Sequence, residues 1–354
     1  MPSLLRQHIR IAVIAAFTIL LTITLNAAPN YTVQTFATGT TLGTTQPDST
    51  YFGLGSVWIS YQNGSDSTGL PPGSSTVVRY SPSGAVQQTW SIKGNVDGLR
   101  IDPTGLVWAL QNNDGNSTLT AINPVANTTT LYTYGSSYTN VANRGFDDVV
   151  FTRGNTFLSE TNPASNSDPI VLRLTTGLSS PLQVAPILNS QFTGTNLVGG
   201  MTMSDTITDS DSLILAPNRD LVLTGEADHQ LVFIHNAGTP NQSESFINLV
   251  GATGNPDDSA FNGNATQGYF LMSDTGGNAI YKITATGLSP NMTFVDMGNE
   301  FGSVDLNTGV VTSIFTGVSP HGVVFVPTPE PATLTLLGGG FLGILTRRMK
   351  QRRT

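Results

Sequence analysis

Short runs of alternating apolar and polar residues, bounded by turn-forming residues, recur along most of this chain and predict strands rather than helices. One stretch shows the unit well. Val96-Asp97-Gly98-Leu99-Arg100-Ile101 is followed by Val107-Trp108-Ala109-Leu110, by Thr118-Leu119-Thr120-Ala121-Ile122 and by Thr129-Thr130-Leu131-Tyr132-Thr133. Four antiparallel strands in about 40 residues make one propeller blade.

The second-strand signature returns at Val57-Trp58-Ile59, Thr156-Phe157-Leu158, Leu221-Val222-Leu223 and Tyr269-Phe270-Leu271, in steps of about 50 residues with one of about 65. Third strands follow at Val77-Val78-Arg79-Tyr80, Ile170-Val171-Leu172, Leu231-Val232-Phe233 and Ala279-Ile280-Tyr281. Five units are legible, and the irregular stretches Gly177 to Asp211 and Asn291 to Phe315 leave room for a sixth. The expected fold is all-β, a propeller of five to seven four-stranded blades with six the preferred count. Val57-Trp58 has no obvious inner strand of its own, and His321-Gly322-Val323-Val324-Phe325-Val326 matches the inner-strand pattern. The C-terminal strand is therefore expected to close the first blade, which removes a free edge.

The two ends of the chain follow a different pattern. Arg6, His8 and Arg10 precede an apolar run from Ile11 to Leu25 and small residues at Ala27 and Ala28, the layout of a secretory signal peptide over residues 1–28. That run is shorter than the roughly 20 residues that span a bilayer. At the other end, Pro329-Glu330-Pro331 favours an extended backbone. Apolar Ala332 to Leu345 comes next, and then a basic cluster containing Arg347 and Arg348 suited to stay on the cytoplasmic side.

These three parts, in this order at the C-terminus, resemble the PEP-CTERM sorting signal. The resemblance implies recognition by the membrane protease exosortase in a bacterium that makes exopolysaccharide, with Pro329, Glu330, Pro331, Arg347 and Arg348 as the sorting motif. The expected organisation is a signal peptide over 1–28, a propeller over 29–327 and a sorting signal with a membrane helix over 328–354. The expected location is the cell envelope or exterior, reached through transient anchoring in the inner membrane.

Setting the ends aside changes the charge picture, because they hold seven of the fifteen basic residues. The body keeps 22 acidic and 8 basic side chains, a net charge of −14. Such a surface repels phosphate backbones, which argues against nucleic acid as a partner and favours a cation. The chain has no cysteine, so burial and backbone pairing alone must hold an exported fold together. Trp58, Trp90 and Trp108 are expected in the blade cores.

The body, most visibly Met272-Ser273-Asp274-Thr275-Gly276-Gly277-Asn278-Ala279-Ile280, resembles NHL-type and gluconolactonase-like propellers. Inner-strand starts and second-strand ends ring one mouth of a propeller channel. Those positions here are mostly oxygen donors: Asp97, Asn112, Asp148, Glu160, Asp211, Glu226, Asp258 and Asp274, with His321. Convergent oxygens suit a hard cation such as Ca²⁺. The gluconolactonase-like resemblance implies Asn112, Glu160 and Asp274 as ligands and Glu226 or Asp258 as a base. His229 and His321 give a lesser likeness to the two-histidine streptogramin-lyase-like propellers. The same aspartates also suit capping of backbone N–H groups at turns, so both readings stand. No nucleophile elbow, zinc helix or phosphate loop is present. The expected function is a non-enzymatic binding or structural module that meets exopolysaccharide or another envelope component. The alternative is a calcium-dependent lactonase-like hydrolase.

Overall fold

The computed structural model describes residues 28–138 and 141–329. The predicted signal peptide up to residue 27 and the tail from Glu330 onward, Arg347 and Arg348 included, lie outside the described residues. No helix among the described residues is long and apolar enough to cross a membrane.

The strands assemble into six sheets arranged as a six-bladed propeller. The innermost strands, in ring order, are Pro47–Gly53, Val96–Ile101, Phe146–Thr152, Ser210–Leu215, Pro256–Phe261 and Pro320–Pro327. Each adjoins the next, and Pro320–Pro327 lies beside Pro47–Gly53 to complete the circle.

The alternation seen in the sequence is spent between blades. Six clusters of buried apolar side chains fill the six interfaces, one for each pair of neighbouring blades. Between the first and second blades Trp58 stacks on Trp90, with ring centroids 5.6 Å apart. Trp58, Trp90 and Trp108 are all buried. Without disulfides, this distributed apolar burial is the main source of cohesion.

Three features differ from the expectation. The first blade has its own inner strand, Pro47–Gly53, which pairs with Ser56–Tyr61. Its sequence, Pro-Asp-Ser-Thr-Tyr-Phe-Gly, carries too few apolar residues to be recognised by alternation. The C-terminal strand instead pairs with Gln267–Asp274 in the sixth blade, whose outer strand is the N-terminal Asn30–Thr38. Closure is thus made by both ends of the domain in one sheet, the C-terminal strand on its inner side and the N-terminal strand on its outer side.

The fifth and sixth blades are also interleaved. After Pro256–Phe261 the chain crosses to build the hairpin Gln267–Asp274 and Ala279–Thr286 in the sixth blade. It then returns to complete the fifth with Thr293–Met297, Glu300–Val304 and Val311–Thr316. The irregular stretch after Asn291 therefore holds three ordinary strands. The one before Asp211 holds the outer strand of the third blade, Val184–Asn189, and an added hairpin, Gln191–Asn196 with Thr202–Thr206, on the edge of the fourth.

Candidate metal centre

Every inner strand carries the same irregularity near its start. In each of the six blades two inner-strand residues face one residue of the second strand, a β-bulge repeated around the ring. A bulge re-aims the side chains it contains. The first bulged residue lines the channel mouth in every blade: Asp48, Asp97, Asp147, Asp211, Asp257 and His321. The opposing second-strand residues are mostly small and polar, and they hold the bulge from behind. Ser159 Oγ accepts the N–H of Asp148 at 3.0 Å, and Ser273 Oγ donates to the carbonyl of His321. Glycine at the second bulged position admits a neighbouring backbone. A Cβ on Gly98 would meet the Asp147 carbonyl oxygen at 2.2 Å.

The result is a ring of five aspartates and one histidine around a cavity of about 330 Å³, with Asp114, Asp209 and Glu226 also in its wall. Among the described lining residues only Arg100 and His321 bring positive charge. His321 Nδ1 lies 3.0 Å from Asp257, whose charge raises the imidazole to about 11. Arg100 is buried below the ring and pairs with Asp148 at 2.5 Å.

Asp97, Asp147 and Asp211, from three consecutive blades, bring carboxylate oxygens within 4.8 Å of one another. Burial first, and neighbouring carboxylates second, push all three acids up, Asp97 to about 8. Asp147 is 3 % exposed, and its Oδ2 has no hydrogen-bond partner. Its Oδ1 accepts from Asn113 Nδ2 at 3.0 Å, which leaves the Asn113 Oδ1, also buried, unpartnered. The donor set therefore fits a hard cation. Ca²⁺ takes oxygens at 2.3–2.6 Å, so oxygens on opposite sides of it stand roughly 5 Å apart.

The candidate residues from the sequence divide into three groups. Asp97, Asp211, Glu226 and His321 face the mouth. Asp148 and Asp258 sit one residue past the ring positions Asp147 and Asp257, because the bulge shifts the register there. Their carboxylates accept backbone N–H groups, Asp148 from Val149 and Leu213, Asp258 from Ser259 and Val323. The bonds from Leu213 and Val323 cross to the neighbouring blade and tie the ring together. Asn112, Glu160 and Asp274 are absent from the cavity wall. Asn112 is held at a left-handed turn, where its Oδ1 accepts the Asn95 N–H at 3.0 Å. Glu160 binds Arg144 at 2.5 Å and the Tyr138 hydroxyl at 2.8 Å. Asp274 caps the N–H groups of Gly277 and Ser319, each at 2.9 Å. Backbone N–H groups claim the oxygens of Asn112 and Asp274, and the side chains of Arg144 and Tyr138 claim those of Glu160. His229 occupies a left-handed turn and lines neither this cavity nor the one at the opposite mouth.

Asp48, Asp147 and Asp257 were missed as ring members. A bulge leaves a sequence trace, an Asp followed by Gly, Ser or Asp at the same place in five strands, and that trace would have identified them. A further polar row in the fourth blade joins Asp220, His235 and Ser245 at 2.7 and 2.9 Å. Ser245 is buried and the row lines neither channel mouth, so it braces the sheet.

Residues 327–353 match the family model of the PEP-CTERM protein-sorting motif. No curated protein matches the chain. Among solved structures, a gluconolactonase from Xanthomonas campestris is 11 % identical with a TM-score of 0.48, over 82 % of each chain. A virginiamycin B lyase from Staphylococcus aureus is 12 % identical with a TM-score of 0.46, over 83 % of this chain and 92 % of the other. A periplasmic gluconolactonase from Pseudomonas aeruginosa is 14 % identical with a TM-score of 0.44, over 80 % and 89 %. No activity passes to this chain from likenesses of this size.

Proposed function

For a six-bladed propeller that ends in a PEP-CTERM protein-sorting motif, we propose export to the cell envelope, processing of the tail by exosortase, and service there as a non-enzymatic module that binds a hard divalent cation of the Ca²⁺ class. The observation that carries the cation reading is the approach of Asp97, Asp147 and Asp211, with the buried Asp147 Oδ2 facing no donor. Three clustered carboxylates repel one another, and a cation relieves that repulsion while satisfying the open oxygen. Asn113 Oδ1, buried and unpartnered, would add an amide oxygen to the set. Exopolysaccharide, which carries hydroxyls and often carboxylates, is the envelope component that a bound cation would bridge to.

The competing reading, a lactonase-like hydrolase, draws on Glu226. It lines the same cavity, and burial with Asp257 and Asp209 nearby brings it up to about 7, a value suited to a general base. One preparation separates the two. Calorimetric titration of the metal-free protein with calcium chloride is expected to show one tight site. Asp147→Asn is expected to weaken it about tenfold or more, roughly 1.4 kcal/mol. The wild-type protein is expected to turn over no γ- or δ-lactone in the presence of the metal. Absence of calcium binding removes the cation reading, and lactone turnover abolished by Glu226→Gln replaces the binding module with the hydrolase.

A further inference from the structure

The opposite mouth of the channel is chemically the reverse of the acidic one. It is a cavity of about 410 Å³ whose wall takes one apolar side chain from each inner strand: Tyr51, Ile101, Phe151, Leu215, Phe261 and Phe325. All six are partly exposed, Leu215 the most at 37 %. Leu54, in the turn beside this mouth, is 53 % exposed. The turns that follow the inner strands of the third and fourth blades carry exposed Arg153 and Arg219. The acid in the corresponding turn of the second blade, Asp102, is bonded to Trp108, Thr104 and Leu106. One mouth is thus anionic, and the other is apolar with arginines at its edge.

The chain leaves the propeller at the apolar mouth. Pro327, the last residue of the closing strand, is part of the cavity wall. Beyond it the Thr328 N–H bonds to the Gln267 carbonyl at 3.3 Å, and the Pro329 carbonyl accepts from Gln267 Nε2 at 2.8 Å. Only Glu330 and Pro331 then separate this pinned end from Ala332, where the apolar run begins. Three residue steps reach at most about 11 Å. The headgroup layer on each side of a bilayer's hydrocarbon core is itself about 5–7 Å deep. Because the leash is rooted on an inner strand, at the centre of the face and not at its rim, the face cannot swing far from a membrane that holds the run.

We infer that the apolar mouth, ringed by Tyr51, Ile101, Phe151, Leu215, Phe261 and Phe325, is a lipid-docking surface on which the anchored propeller stands, with its acidic mouth turned away from the bilayer. This inference rests on the reading of the tail as a membrane segment. Exposed apolar side chains enter the interfacial layer, and Arg153 and Arg219 meet anionic headgroups. The acidic body would otherwise be repelled by the same lipids, so the distribution of charge selects one orientation.

The chain lacks cysteine, which makes single-cysteine labelling clean. The full chain is reconstituted in vesicles of phosphatidylethanolamine and phosphatidylglycerol, with a fluorophore on Leu54→Cys, on Leu215→Cys or on Asp66→Cys at the acidic side. Lipids brominated in the acyl chain are expected to quench the first two probes several-fold more than the third. Flotation with the vesicles checks the tail reading separately. A chain that does not float removes that reading and the inference with it, whereas a floating chain quenched equally at all three sites overturns the inference alone. Shielding of the Leu54→Cys probe without lipid quenching means that a second copy or the chain's own tail covers the mouth, and also overturns it. A flexible Gly-Ser spacer between Thr328 and Pro329 is expected to leave the quenching in place. Its loss shows a leash without affinity and rules out docking.

Discussion

Each residue of the channel ring is set by a local competition for hydrogen bonds. At the paired acids Asp147-Asp148 and Asp257-Asp258, the bulge sends the first carboxylate to the channel and the second to backbone N–H groups of the adjoining blade. The cost appears as displaced proton affinities. Burial pushes Asp258 up to about 7 against the opposing pull of Arg100, and Asp257 holds the His321 imidazolium at about 11. For Asp258, the fold keeps a proton that the unfolded chain releases near pH 4, so stability declines as pH climbs from there toward 7. For His321, the gain is complete below the unfolded value near 6.5 and is lost as pH rises toward 11. Both act in the same direction. The metal-free protein is therefore expected to melt several degrees lower at about pH 8 than at about pH 5. Thermal unfolding followed by circular dichroism checks this, and an unchanged or rising midpoint contradicts the burial of charge described for the ring.

At the scale of strands and blades, the interleaving of the fifth and sixth sheets places a knot of aromatic rings between them. Phe270 lies 4.5 Å from Phe294 and 4.9 Å from both Phe301 and Phe325, centroid to centroid. These four rings belong to strands of both blades, so Phe270 joins the crossing hairpin to the blade it bypasses and to the closing strand. Phe270→Ala is expected to cost about 3–5 kcal/mol, the range for emptying a buried phenylalanine site. Urea unfolding measures it. A loss below about 1 kcal/mol would mean that the closure does not depend on this cluster. The second and third strands of most blades were readable because each presents apolar residues at a regular spacing to two neighbouring blades. The inner strand Pro47–Gly53 and the outer strand Asn30–Thr38 were not, since both are rich in polar residues; the first is half of a local hairpin with Ser56–Tyr61, and the second takes its place only from a partner far along the chain.

For the whole molecule, the closing strand and the sorting signal are continuous, and this makes the tail's processing a structural matter. Removing Pro329 to Pro331 takes away the extended segment that leads out of the propeller but leaves the ring closed, because Pro320–Pro327 pairs without it. Cells expressing that variant are expected to retain the uncut, folded protein in the membrane fraction, scored by immunoblotting of fractions with a C-terminal tag. Release at the normal rate contradicts the role given to the motif. A fold lost together with the cut would show instead that the closing strand needs the residues after it.

The sequence by itself determined the all-β class, the repeat and most of the blade strands, the acidic body and the sorting tail. These follow from local composition and periodicity, which depend on residues close together in the chain. Tertiary structure alone decided the exchange of the hairpin between two blades, the joint closure by both ends, and which acids face the channel. Strand partners are chosen by packing over long sequence distances. A one-residue bulge turns a carboxylate from solvent to backbone, so Asp147 and not Asp148 enters the triad with Asp97 and Asp211.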